Sequence, residues 1–93
     1  MAALLIIVAG PYSAATAEGR AANLAAMNRA AVEVARRGHI PVIGVNAALP
    51  VLEAAGLPYS DPLMMTISLA LAARCDGETG CPASAARISR ISA

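Results

Sequence analysis

Apolar positions along the chain form two short runs without alternation and two longer stretches with a helical repeat. The first run, Leu4 to Ala9, has no polar position, so neither face of it expects water. That pattern predicts a central strand in a sheet covered on both sides. Gly10-Pro11 ends it abruptly, since Gly opens backbone angles closed to other residues and Pro removes a ladder donor. Tyr12 follows at the loop tip. Thr16 can cap a helix, Glu18 suits its positive end, and Leu24, Met27, Ala31 and Val34 recur at helical spacing. With Arg36-Arg37 at the negative end and Gly38 as the C-cap, this predicts a helix over about residues 17–37. Ile40 to Val45 is the second run and predicts a strand parallel to the first.

Beyond it, Ala47 to Ala55 predicts a short helix ended by Gly56, with Pro50 in its first turn. Asp61 can cap a further helix over about residues 62–74, apolar on most faces and therefore expected to be buried, with Met64 and Met65 in the core. An α/β chain should then supply a third strand, but Asp76 to Pro82 reads D-G-E-T-G-C-P, which is turn chemistry. Residues 83–93 read either as one or two helical turns starting near Pro82 or as a disordered tail. The expected fold class is thus α/β, a small three-layer parallel sheet truncated after the second or third strand. It forms one domain over residues 1–76 with a divergent tail over 77–93.

In open α/β sheets ligands sit outside the carboxyl ends of strands. Gly10, Pro11 and Tyr12 are therefore the candidate floor of a binding site. Asn46, just past the second run, is expected on the same edge. Asn23 in the first helix either contacts the ligand or bonds the loop before it. His39 reads as a solvated or helix-end histidine rather than a catalytic one.

Composition narrows the function. Aromatic residues are 2% of the chain, Tyr12 and Tyr59 alone, and the net charge is +1 with both signs interspersed. Without a basic patch or stacking aromatics, nucleic-acid binding is not expected. Cys75 and Cys81 lie far from the single histidine, so no metal site is expected, and two free thiols fit a reducing compartment. No basic residue precedes the first apolar run, and no stretch approaches the roughly 18–20 apolar residues that span a membrane. A cytoplasmic protein is expected. G-x-G-x-x-G is absent, and no cofactor is expected. A chain of 93 residues buries a modest share of its surface, which favours a homo-oligomer.

Four segments then share a pattern: V-A-G-P-Y, Asn23 inside the first helix, R-R-G-H-I-P-V-I, and L-A-L-A-A-R-C-D. Over about residues 4–76 they resemble the nucleoside 2-deoxyribosyltransferase-like superfamily, which includes small uncharacterised bacterial members. The resemblance implies a flavodoxin-like sheet, a nucleoside or nucleotide ligand, and cleavage of its N-glycosidic bond by dimers or larger assemblies. Such cleavage develops positive charge on the sugar, which a carboxylate beside the anomeric carbon can attack or stabilise. In the family that Glu follows a Ser-x-Gly-type turn and opens a helix, and an Asp is common before L-A-L. Here Ser68 stands at the Asp position. If Ser84 matches the family serine, Ala86 replaces the turn glycine and Arg90 falls where the Glu belongs, opposing the charge that develops. The catalytic residues are thus unidentified. The alternative is an inactive scaffold or oligomerisation domain that has lost its acids.

Overall fold

The computed structural model describes residues 3–80 and the strand Ser89–Arg90. The elements are β1 (Leu5–Ala9), α1 (Ala17–Arg36), β2 (Ile40–Val42), α2 (Gly44–Ala55), α3 (Leu63–Ala72), β3 (Gly77–Gly80) and β4 (Ser89–Arg90). The sheet order is β2-β1-β3-β4. Strand β1 is parallel to both neighbours, and β4 runs antiparallel to β3. This is an α/β fold with the first apolar run at the centre of its parallel part.

The lack of alternation in β1 has its expected cause. Ile6 and Val8 point to one face and pack with Met27, Ala30 and Val34 of α1, joined by Ile43 and Val45. Ile7 points to the other face and is also buried. Each such large side chain contributes about 1.5–3 kcal/mol by leaving water. At the amino end of β1, side chains continue the ladder. The Leu4 N–H donates to His39 Nδ1 at 3.2 Å, and the Leu5 N–H donates to Asp76 Oδ2 at 2.9 Å. The backbone replies from the same two places: Ile40 N–H to Leu4 O at 2.8 Å, and Asp76 N–H to Leu5 O at 2.7 Å. His39 is thus a strand fastener.

Several expectations need correction. The third strand is present: Gly77–Gly80 lies beside Ile6–Ala9, although its composition is that of a turn. The free edge of β1 supplies the hydrogen-bonding partners, and Asp76 fixes the register. The second strand stops at Val42, and a helix begins at Gly44. Val45, Ala48 and Leu52 are buried at helical spacing. A Cβ on Gly44 would lie 2.5 Å from Ser68 Oγ, so glycine lets α3 cross α2 closely there. Pro50 consequently sits inside α2 rather than in a first turn, where its missing N–H leaves the Asn46 carbonyl without its helical donor. Finally, α3 has no buried residue, and Met65 and Leu69 are 60% and 61% exposed. The helix packs on α2 rather than under it. A helix with no charged face carries no instruction about which side turns inward.

Ser89–Arg90 is extended, so that part of the tail is a strand rather than a helical turn. Ser84 and Ala86 lie outside the described residues. Among the described residues no helix is long and apolar enough to cross a membrane.

Candidate functional site

Strand β1 is followed by a crossover to β2 on one side, and the chain later returns to β3 on the other. The carboxyl end of β1 is therefore a topological switch point, where α/β sheets open a crevice. Gly10, Pro11 and Tyr12 lead out of it towards α1. Thr16 caps α1 from an extended conformation, its Oγ1 accepting from the Gly19 N–H at 3.0 Å. A Cβ on Gly19 would meet Ala14 Cβ at 2.8 Å, so the loop lies directly on the first helical turn.

Side chains of α1 hold three successive loop carbonyls. Asn23 Nδ2 donates to Tyr12 O at 2.9 Å and to Ser13 O at 3.3 Å, and Arg20 Nη1 donates to Ala14 O at 3.0 Å. In a trans peptide the carbonyl and the following N–H point in opposite directions. The N–H groups of Ser13, Ala14 and Ala15 are thereby turned away from the donors of α1. Of the two roles open to Asn23, the one observed is fastening the loop.

The site contains two residues that sequence reasoning did not place there. Tyr59, between α2 and α3, meets Tyr12 edge to face, with ring centroids 5.8 Å apart and planes at 80°. The Arg20 guanidinium lies 4.4 Å from the centroid of the Tyr59 ring. A signal for Arg20 did exist. It is the fourth residue of α1, where a cation opposes the positive helix end, so helix formation alone does not ask for it. Tyr59 had no such signal beyond being one of only two aromatic residues.

Other candidates lie elsewhere. Asn46 is in the first turn of α2, where its Nδ2 donates to Asn28 Oδ1 at 2.9 Å and ties α2 to α1. Glu78 is opposite Ile7 in register, hence on the face away from α1, and it is exposed. Asp76 is engaged at the amino edge, and Asp61 accepts from the Leu63 N–H at 2.9 Å. Ser68 fills the crossing with Gly44. Arg90 pairs with Gly77, which in turn pairs with Ile6. Gly10 is four residues further along β1, about 13 Å at the strand rise. The antiparallel course of β4 thus carries the backbone of Arg90 to the end of the sheet opposite Gly10.

Thr79 is buried beside Val8 at 3% exposure, and its Oγ1 has no hydrogen-bond partner among the described residues. Burial, and then the Asp76 charge, push the Cys75 thiol above its ordinary value, the wrong direction for a thiolate nucleophile. Among the described residues no cluster of His, Cys, Asp and Glu could hold a metal ion. No protein-family model, curated protein or solved structure matches the chain.

Proposed function

We propose that this chain binds a nucleoside or nucleotide at the carboxyl edge of β1, and that it is related to the flavodoxin-like nucleoside 2-deoxyribosyltransferase superfamily. One observation carries the reading: Tyr12, Tyr59 and Arg20, from three separate segments, converge at the switch point. Aromatic faces and a guanidinium suit a planar base attached to a polar sugar. The reading needs no cofactor and carries with it a cytoplasmic setting.

Cleavage of the glycosidic bond is a weaker activity on this reading. Glu78 faces away and Asp61 is engaged with a backbone amide, which leaves Glu18, in the first turn of α1, as the carboxylate nearest in sequence to the loop. The test is calorimetry with each deoxynucleoside and its monophosphate, alongside NMR of the two tyrosine rings. Saturable heat with shifts at both rings is expected, and chromatography of the same mixtures should show little free base. Absence of both heat and ring shifts would refute the reading.

A second reading, a scaffold that assembles with copies of itself, is favoured by a different observation: the exposure of Met65 and Leu69 on a helix with no charged residue. An interface of like copies is least hindered where no like charges meet. Sedimentation velocity should show a species heavier than one chain, and Leu69→Glu should return it to the monomer. A monomer at every accessible concentration ends this reading.

A further inference from the structure

We infer that Arg20 is an anion receptor, and that the ligand of this crevice is a phosphate monoester rather than a neutral nucleoside. This rests on the nucleotide-binding reading and sharpens it. A guanidinium offers a planar fork of several N–H donors. In Arg20 one of them is used, at the Ala14 carbonyl. The group is half-buried and sits over the Tyr59 ring. It has no carboxylate partner among the described residues, where the ion pairs are those of Glu33 with Arg36 and Arg37.

That combination is uncommon for a structural arginine. A surface arginine solvates its whole fork, and a buried one is usually paired. Arg20 is fixed by a ring and a carbonyl, neither of which neutralises it, at the positive end of α1 where a cation is disfavoured. A dianionic phosphate answers all three features. It pairs with two N–H groups of the fork, supplies the missing charge, and reverses the unfavourable term at the helix end. The contact with the Tyr59 ring sets the guanidinium in place beforehand, so little side-chain entropy is lost on binding. The description fits Arg20 better than the other arginines of α1. Arg29 and Arg36 lie further along the helix, towards its carboxyl end, and Arg36 is already beside Glu33.

The experiment compares four ligands by calorimetry on the full chain: a deoxynucleoside, its 5′-monophosphate, deoxyribose 5-phosphate and inorganic phosphate. The ratio of monophosphate to nucleoside affinity is the readout, because general damage to the crevice lowers both. The expected ratio is about tenfold to a hundredfold in favour of the phosphate, falling as salt is raised. Arg20→Ala should bring the ratio near one, Arg20→Lys should restore part of it, and Arg29→Ala, which removes the same charge from an exposed position further along α1, should leave it intact. Binding of the sugar phosphate but not of inorganic phosphate assigns the recognised group to an ester on a sugar. Inorganic phosphate binding as tightly as the monophosphate overturns the monoester assignment. A wild-type ratio near one, or a ratio unchanged in Arg20→Ala, overturns the inference while leaving nucleoside binding standing. If the wild type binds none of the four ligands, both fall together.

Discussion

The two helical sides of this molecule are both rich in apolar residues, yet they are used differently. Helix α1 sets Met27, Ala30 and Val34 against Glu18, Arg20, Arg29, Glu33 and Arg36, and its apolar face is buried on β1. Helices α2 and α3 carry a single charged residue between them, Glu53. Helix α2 buries Val45, Ala48 and Leu52, whereas α3 buries nothing completely and exposes Met65 and Leu69. Contrast, rather than apolar content, tells a helix which way to face. Where polar residues mark the outer side, the inner side follows; where none do, packing of the neighbour decides.

The largest test of that difference is a pair of methionines. Met27→Ala should lower stability by about 2–5 kcal/mol, the range for emptying a core site. Met65→Ala should stay within about 0.5 kcal/mol for the single chain. Urea unfolding at low protein concentration checks both, and equal losses would remove the distinction between the sides. Gly44→Ala comes next. Its Cβ would collide with Ser68, so a loss of about 1–3 kcal/mol is expected, and adding Ser68→Gly should recover most of it. No recovery would mean that α3 is not seated at Gly44.

The loop on the α1 side offers a smaller effect. Asn23→Ala removes the donor to Tyr12 O and Ser13 O, and about 1–2 kcal/mol should go with it. Backbone resonances of Tyr12 and Ser13 should shift while amide exchange in α2 is unchanged. The least effect is expected at Glu33→Gln. Its pairs with Arg36 and Arg37 are long, at 3.8 Å, and solvated, so stability should move by no more than about 0.5 kcal/mol at any salt concentration. A larger, salt-sensitive loss would make charge a structural force on α1 rather than a marker of its outer face.

The same contrast explains what could be read in advance. Strand β1, helix α1 and the Thr16 cap follow from unbroken runs, helical spacing and local capping chemistry, all contained in a few neighbouring residues. The loop at Gly10-Pro11-Tyr12 follows from where strands end. Strand β3 does not, because Gly77-Glu78-Thr79-Gly80 is extended only through a partner strand distant in sequence. The close crossing at Gly44 needs Ser68 from α3, and Tyr59 meets Tyr12 from the segment between α2 and α3. Each missed feature is a contact between segments whose own composition says nothing of the other.

The fastening at the amino end of β1 bears on how the sheet assembles. Leu4 and His39 are 35 positions apart, and Leu5 and Asp76 are 71 apart, close to one doubling of the chain that must be closed. A doubling adds only about 0.6 kcal/mol of closure entropy. The hydrogen bonds Asp76 makes to Leu5 in both directions contribute about 0.5–1.5 kcal/mol each, enough to offset it. Distance along the chain therefore does not make β3 the late or fragile strand. Both parallel pairs are closed at the first residues of the central strand, one by an imidazole and one by a carboxylate.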